Sequence, residues 1–372
     1  MGEFKLIPIS TLAGSTFTNY FKVLRQGRVE PKYYLKIFLT LLVIIISTPF
    51  HWWEKLVFSR KVARFTFEKP PLFILGHWRS GTTMLHNMLC SDPDAGYVTT
   101  YNSLFPNNLG SKLIFKTFMK INTPEKRPSD NVKLNVDFPQ EDEFAFSNMQ
   151  HNAYYNFFYF PSAYQSFYDR AIHHKGLTEK EKKLWFNQYD KLLKKALINS
   201  KGKRLIVKNP VNTARIKHIL KLYPDAKFLY IYRNPVTLFL STRKFLKELL
   251  PSVQLQQTGE EFIEKIIFDV YRKLMNDYYE QRELIPKENL YELRYESFEK
   301  HPDAEIRKIY TNLLKEDYNN VKEYFYDFYE SIKGYKKNEY VIDKSSIDKI
   351  VSELDDFMKT MDYSLPEDIK IR

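Results

Sequence analysis

The clearest pattern along this chain is an uninterrupted apolar run at residues 72–75, followed at once by a polar loop with a glycine at each end. The run has the length and composition of a buried strand. Beyond the loop, apolar residues recur at helical spacing at Met84, Leu85, Met88 and Leu89. The pattern predicts a strand, a loop and a helix. In that arrangement loop amides and the helix N-terminus point at an anion.

Three further apolar runs, at residues 205–208, 227–232 and 290–296, predict additional strands. Amphipathic helical patterns occupy residues 178–200 and 260–285. Strands that alternate with helices are typical of an α/β fold with a parallel sheet.

An uncharged apolar segment at residues 37–50 is followed by two tryptophans and several basic residues. It predicts an N-terminal apolar helix. Three placements stay open for it: buried against the main domain, lying at a membrane interface through residues 34–55, or crossing a membrane. We expect residues 1–67 to form an N-terminal helical extension and residues 68–372 to form the main domain.

The chain is basic, with 57 Lys and Arg against 45 Asp and Glu and a net charge of +12. This balance suits an anionic ligand, a nucleic acid or a membrane surface, and does not choose among them. Cys90 is the single cysteine, which excludes an internal disulfide and fits a reducing cytoplasm. We therefore expect a cytoplasmic protein, with membrane association left open, and the oligomeric state is not determined.

The loop is spaced almost as in a Walker A motif, with Gly76 and Gly81 at its ends and Thr83 shortly after. The lysine that should follow the second glycine is replaced by Thr82, and the cation stands inside the loop as Arg79. A P-loop NTPase or nucleotide kinase would lose its lysine contact to the terminal phosphates, so that class stays only an alternative. The loop instead suits a phosphate held by amides, hydroxyls and one guanidinium.

Residues 79–83, Arg-Ser-Gly-Thr-Thr after an apolar strand, resemble the 5'-phosphosulfate loop of sulfotransferases that use PAPS (3'-phosphoadenosine-5'-phosphosulfate). A second motif, a strand followed by Arg233 and then by Ser241, resembles that family's site for the 3'-phosphate. The resemblance covers about residues 70–345. It implies a P-loop-like parallel sheet flanked by helices, and transfer of a sulfuryl group from PAPS to an alcohol with PAP as product and no metal.

The resemblance also implies a role for each motif residue. Arg79 and Lys208 would neutralise charge on the transferring group, although Lys208 could equally be an ordinary lysine at the end of a strand. A late basic loop at residues 335–340 resembles one that closes over the cofactor. Tyr295 would lie against the adenine or serve only in packing. The residues expected to bind the cofactor are Arg79, Ser80, Gly81, Thr82, Thr83, Arg233, Ser241 and Tyr295.

Three adjacent carboxylates lie within residues 139–144, Pro-Gln-Glu-Asp-Glu-Phe. They suit the first turn of a helix, or a general base that takes the proton of an acceptor hydroxyl. A similar segment recurs in bacterial members of the family, and several branches use a glutamate base. Glu141 or Glu143 is therefore the expected base, with His151 as the second candidate.

The acceptor is suggested by a segment dense in aromatic residues at 144–168, which suits a core or the wall of a cavity for a large apolar molecule. Together with the apolar helix it favours a small hydrophobic alcohol such as a sterol, and resemblance to bacterial sterol or lipid-alcohol sulfotransferases agrees. Carbohydrate and peptide acceptors stay open. A basic nucleic-acid-binding or membrane-scaffolding protein without catalysis is a further alternative, but we expect no nucleic acid partner.

Overall fold

A computed structural model describes residues 8–122, 135–332, 340–366 and 369–371. Within these ranges the main sheet has five parallel strands, β1 (Leu72–Leu75), β2 (Ala95–Gly96), β3 (Arg204–Lys208), β4 (Lys227–Tyr232) and β5 (Leu290–Arg294). A small parallel pair joins β6 (Tyr340–Ile342) to β7 (Ile369–Ile371).

The α-helices of the described ranges are α1 (Phe17–Leu24), α2 (Tyr34–Arg64), α3 (Thr82–Leu89), α4 (Thr100–Leu104), α5 (Lys112–Asn122), α6 (Asp142–Met149), α7 (Tyr164–Ala171), α8 (Glu179–Ser200), α9 (Ile216–Leu222), α10 (Pro235–Val253), α11 (Glu260–Gln281), α12 (Tyr295–Lys300), α13 (Pro302–Lys308), α14 (Lys322–Ile332) and α15 (Lys344–Thr360). A π-helical turn follows α13 at Ile309–Leu314. Short 3-10 helices lie at Thr11–Gly14, Pro31–Tyr33, Tyr154–Phe158, Pro161–Ala163, Pro210–Ala214, Arg282–Leu284, Lys287–Asn289 and Tyr318–Asn320.

The strand order is β2-β3-β1-β4-β5, which places β1 in the middle of the main sheet. Leu72 pairs with Ile206 of β3 on one side and with Lys227 of β4 on the other. Because all the strands run parallel, their carboxyl ends meet at one edge of the sheet, where open α/β sheets bind ligands. The predicted α/β fold is confirmed. The strand expected at residues 290–296 ends at Arg294, because Tyr295 already begins α12.

The main sheet is covered on both faces, as expected when strands are apolar at every position. Phe73 and Leu75 of β1 pack into one buried cluster, to which α7, α8, α10 and α11 contribute. Leu72 and Ile74 point the other way, into a cluster built with α3, α13 and the π-helical turn. The sheet lies between the two clusters, and the loop after β1 follows directly from its middle strand.

The N-terminal extension packs onto this core. Leu12, Tyr20 and Ile44 belong to the same buried cluster as Phe73, so the core is continuous across the expected boundary at residue 67. α2 has 31 residues and extends well beyond the apolar segment of the sequence. Four of the six buried side chains of α2 are polar, and further apolar side chains such as Ile37, Leu41 and Val43 are half-buried against the core. Many other large apolar side chains of the helix are exposed.

A buried ion pair fastens α2 to the main domain. Lys195 of α8 donates hydrogen bonds to the carboxylate of Glu54 and to the carbonyl oxygen of Pro106, and the amide of Leu109 donates to the same carboxylate. The two side chains are 3% and 6% exposed. Burial lowers the pKa of Lys195, and the charge of Glu54 opposes that shift.

Replacing Lys195 by alanine should destabilise the protein, because Glu54 would stay buried without its cation. We expect the free energy of unfolding to fall by about 3–5 kcal/mol in urea titrations, the usual cost of breaking a buried pair. The control is Lys194→Ala on the same helix, which breaks a half-exposed pair with Asp190 at 2.9 Å and should change stability little. Equal losses in the two variants would show that the pair does not fasten α2.

Candidate active site

The loop after β1 begins and ends on glycines that the backbone requires. Gly76 has φ 137°, and a Cβ there would lie 2.3 Å from the carbonyl oxygen of Ile231 in β4. Gly81 has φ 95°, and a Cβ there would lie 2.3 Å from the Tyr295 ring. Both positions therefore need a residue without a side chain. The loop can lie directly against β4 and the start of α12 because neither Gly76 nor Gly81 has a side chain.

Hydrogen bonds fix the shape of the loop between the glycines. The buried hydroxyl of Ser80 donates to the carbonyl oxygen of His77 at 2.8 Å, and the amide of Gly76 donates to Thr213 Oγ1 at 2.8 Å. Arg79 has φ 70°, a left-handed backbone conformation that is uncommon for a residue with a side chain. α3 begins at Thr82, so its first amides lie at the mouth of the loop without intrahelical partners.

The two predicted phosphate motifs contact each other. Arg79 Nε donates to Ser241 Oγ at 3.0 Å, and Arg233 Nη1 donates to the carbonyl oxygen of Arg79 at 3.3 Å. The Arg233 guanidinium also lies 4.3 Å from the centre of the Tyr295 ring. Residues from the loop after β1, the end of β4, α10 and α12 thus meet at the carboxyl edge of the sheet.

A carboxylate and an ammonium group stand beside the loop. Lys208, at the end of β3, donates to Glu141 Oε1 and lies 3.5 Å from Thr83 Oγ1. The hydroxyl of Tyr155 donates to Glu141 Oε2, and Trp78 Nε1 donates to that hydroxyl at 2.9 Å. Burial and then the charge of Glu141 raise the pKa of Tyr155 well above its usual value, so the phenol stays protonated and holds Glu141 in place.

Glu143 lies in a different environment. Arg215 Nη1 and Nη2 donate to its two oxygens at 2.5 and 3.0 Å, and both side chains are fully buried. Asn209 Nδ2 and the amide of Tyr154 donate to the same carboxylate at 2.9 and 2.6 Å. Because both oxygens are held inside the core, Glu143 is a structural ion-pair partner. The sequence left Glu141 and Glu143 open as base, and this geometry favours Glu141.

Asp142 separates these two glutamates and is also buried. Burial, and then the charge of Glu143, raises the pKa of Asp142 to about 7. α6 begins at Asp142, so successive side chains point in directions about 100° apart. Three consecutive carboxylates therefore face three environments: Glu141 faces Lys208 beside the loop, Asp142 faces Tyr189 of α8, and Glu143 faces Arg215.

His151, the second base candidate from the sequence, and His77 of the loop do not join the Lys208 and Glu141 group. The charges that act on His151 come from Lys22, Glu181 and Arg170, and burial, as the main cause, lowers its pKa to about 4. His77 is buried at the start of the loop, where its Nδ1 lies 2.9 Å from the carbonyl oxygen of Trp78. Burial lowers the pKa of His77 to about 4, so both rings are neutral at physiological pH.

An apolar cavity adjoins the loop. His77 and Trp78 contribute to its wall, and the other lining residues come from the aromatic segment, α10 and α11: Phe157, Phe158, Thr242, Phe245, Leu246, Ile266, Ile267 and Val270. The Arg79 guanidinium lies 6.0 Å from the centre of the Phe245 ring, so the cavity lies next to the cationic group. With the side chains as placed it has room for about one water molecule. The aromatic segment therefore supplies both core and cavity wall.

The structure thus brings together Arg79, Ser80, Gly81, Thr82, Thr83, Glu141, Lys208, Arg233, Ser241 and Tyr295 at one edge of the sheet. The basic loop expected at residues 335–340 lies almost entirely outside the described residues. Sequence reasoning missed Tyr155 and Arg215, the hydrogen-bond partners of the two glutamates.

The chain matches known proteins at three levels. A family model described as "Sulfotransferase family" matches residues 70–316. The omega-hydroxy-beta-dihydromenaquinone-9 sulfotransferase Stf3 of Mycobacterium tuberculosis is 30% identical over 338 residues, which is 88% of this chain and 84% of the relative. The Mycobacterium bovis protein of the same name matches equally well.

Two solved structures share the fold. Sulfotransferase STF9 from Mycobacterium avium has a TM-score of 0.66 at 14% identity, with 95% of this chain and 98% of that chain covered. Sulfotransferase STF1 from Mycobacterium tuberculosis H37Rv has a TM-score of 0.65 at 14% identity, with 90% and 91% covered.

The glutamine variants of the two glutamates should separate catalysis from stability. Glu141→Gln leaves the buried ammonium of Lys208 without its carboxylate, so we expect a lower melting temperature. We expect turnover per folded molecule to fall by about 100-fold or more, as for loss of a general base. Glu143→Gln breaks the buried pair with Arg215, so we expect a loss of about 3–5 kcal/mol of stability. The two effects are read from thermal unfolding and from turnover per folded molecule. Normal turnover of the Glu141→Gln protein would exclude Glu141 as the general base and leave His151 as the next candidate.

Proposed function

Because this chain belongs to the sulfotransferase family, we propose that it transfers the sulfuryl group of PAPS to the hydroxyl of a hydrophobic alcohol. The observation that carries the proposal is the contact of Arg79 with Ser241 and Arg233, beside Lys208 and Glu141. Three cationic side chains and one carboxylate converge there, an arrangement that an anionic nucleotide would complement.

The residues present fit a nucleotide with phosphates at both ends of its ribose. The loop and the first turn of α3 offer backbone amides and the hydroxyls of Thr82 and Thr83 to the 5'-phosphate, and Ser80 would join them by turning its hydroxyl from the His77 carbonyl to the phosphate. Arg233 and Ser241 offer a forked guanidinium and a hydroxyl to the 3'-phosphate. The Tyr295 ring already forms one wall of the loop, in reach of the same ligand. PAPS supplies the sulfuryl group, and no metal is needed for the proposed reaction.

In the proposed reaction, Glu141 accepts the proton of the acceptor hydroxyl while that oxygen bonds to sulfur. The bond between sulfur and the 5'-phosphate oxygen breaks, and PAP leaves. Arg79 and Lys208 neutralise the negative charge that builds up on the bridging and sulfuryl oxygens, the main way in which such transfers are accelerated. Tyr155 and Lys208 keep Glu141 oriented before the reaction.

The cavity beside Arg79 supports a hydrophobic acceptor, because its wall is almost entirely apolar and aromatic. The relative Stf3 is named for a hydroxylated menaquinone, a long apolar molecule with a terminal hydroxyl. We therefore propose a lipid-like alcohol as acceptor, either a hydroxylated isoprenoid or a sterol. The cavity is narrow, so Phe157, Phe158 or Phe245 must move to admit such a molecule.

Ser241→Ala tests the assignment of the 3'-phosphate. If Ser241 binds that phosphate, the variant should bind PAP about tenfold or more weakly and bind 5'-AMP, which lacks the 3'-phosphate, as before. Calorimetric titration of both nucleotides measures the difference. Ser241 also contacts Arg79. If Ser241 acts only by positioning Arg79, the variant should lose affinity for PAP and for 5'-AMP by the same factor.

The proposed function itself is tested by incubating the enzyme with labelled PAPS and a panel of acceptors, with mass-spectrometric detection of sulfated products. We expect hydroxylated isoprenoids or sterols to be sulfated in preference to sugars, phenols and tyrosine peptides. Arg79→Ala should lower the rate by about 100-fold or more, because it removes a charge from the reacting centre. ATP turnover without sulfuryl transfer would support a nucleotide kinase instead, and sulfation of sugars or peptides alone would overturn the hydrophobic acceptor.

A further inference from the structure

α2 exposes far more apolar surface than an ordinary helix on a protein surface. Its exposed side chains follow one stripe at helical spacing: Leu35, Phe38, Leu42, Ile46, Trp52 and Leu56. Lys36 is the only Lys, Arg, Asp or Glu between residues 34 and 53, and it is buried. A single exposed leucine needs no explanation, but a continuous apolar stripe of this length marks an interaction surface.

The polar side chains of α2 point toward the protein and are used there. Lys36 Nζ donates to the carbonyl oxygen of Ser252. Thr40 Oγ1 accepts from the amide of Ser10 at 2.8 Å. Glu54 forms the buried pair with Lys195. These contacts hold the helix along its side, over almost the whole length of its apolar stripe.

α5 widens the apolar surface. Phe50 of α2 and Phe115 of α5 pack edge to face with ring centres 5.5 Å apart, so the two helices touch at this point. Leu113 and Ile114 of α5 remain exposed next to this contact. The Trp53 ring lies where a Cβ on Gly110 would be, 2.2 Å away, which brings the start of α5 against the stripe.

The exposed charged side chains of α2 itself have one sign. Beyond Trp53 the helix carries Lys55, Arg60, Lys61 and Arg64, all exposed, while the acidic Asp137 beside α5 is paired with Lys116. Glu54 is the only acidic residue in α2, and it is buried, while α5 contains none. Tryptophans between an apolar stretch and a basic stretch are typical of helices that lie at the boundary of lipid tails and headgroups.

We propose that the exposed faces of α2 and α5 bind the surface of a membrane that contains anionic lipids. α2 would lie in the plane of the interface, with its apolar stripe in the lipid and its basic end against the headgroups. The proposal does not depend on the identity of the acceptor or on the transfer reaction.

Two other arrangements fit the structure less well. α2 with the turn before it, Pro31–Arg64, is long and apolar enough to cross a membrane. To do so it would have to break the inward contacts of Lys36 and Glu54 and carry both charges into the lipid. A second copy of the chain packed on this face by a twofold axis would offer Arg60, Lys61 and Arg64 no acidic partner on α2, because Glu54, the only acid of that helix, is buried. Anionic headgroups instead complement these charges.

The test uses the full-length protein and vesicles of phosphatidylcholine with about 30% phosphatidylglycerol in a flotation assay. We expect the wild type to float with these vesicles, and to float less with phosphatidylcholine alone or at high salt. Ile46→Glu should lower the partition coefficient by about tenfold. Leu284→Glu is the matched control, because Leu284 is 55% exposed, close to the 65% of Ile46, but lies outside the two helices. Circular dichroism confirms that both variants are folded.

Tryptophan fluorescence distinguishes lying in the interface from crossing it. Trp78 and Trp185 are buried, so a shift on adding vesicles reports Trp52 and Trp53. We expect emission at shorter wavelength and stronger quenching by lipids brominated near the headgroup than by lipids brominated near the chain end. The proposal is overturned if Ile46→Glu floats as well as the wild type, or if deep bromine quenches best. It is also overturned if the wild type fails to float and forms a dimer that Ile46→Glu dissociates.

Discussion

The site depends on how closely the loop after β1 is pressed against its neighbours. β1 is the middle strand, so its carboxyl end lies between those of β3 and β4. Gly76 lets the chain turn against the Ile231 carbonyl, and Gly81 lets it pass under the Tyr295 ring. With the loop fixed there, Arg79 can contact both Ser241 and Arg233, although these residues come from a distant part of the chain. A side chain at either glycine would push the phosphate cradle away from the second motif.

Converging cations repel one another, so the arrangement needs a negative partner. Within the described residues Glu141 supplies one, held by Lys208 and by the Tyr155 hydroxyl. A bound bisphosphorylated nucleotide would supply several more negative charges and would compete for the same ammonium group. Under the proposed function, the contact between Lys208 and Glu141 is therefore one with which the bound nucleotide would compete.

Local sequence was enough to find the parts of the site but not their partners. The strands, the glycine-bounded loop, Lys208 and the pair of Arg233 and Ser241 each follow from a short stretch of residues. The different environments of Glu141 and Glu143 do not, because they are made by Arg215, 72 residues from Glu143, and by Tyr155. Which face of α2 is exposed was not identified from the sequence, and the reason is different. Hydropathy averages over all faces of a helix, and the information lies in the helical spacing of its few polar residues.

α10 links the proposed membrane-binding surface to the reacting groups. Its first half carries Ser241, which contacts Arg79, and Phe245 in the cavity wall. Its last turn offers the Ser252 carbonyl oxygen to Lys36 of α2. Eleven residues of helix separate Ser241 from Ser252, a distance of about 16 Å along the axis. An acceptor with a polar hydroxyl and a long apolar body could therefore place its hydroxyl beside Arg79 while its other end still lies in the lipid. A hydroxylated isoprenoid and a sterol both suit this arrangement, because each carries its hydroxyl at one end of an apolar body.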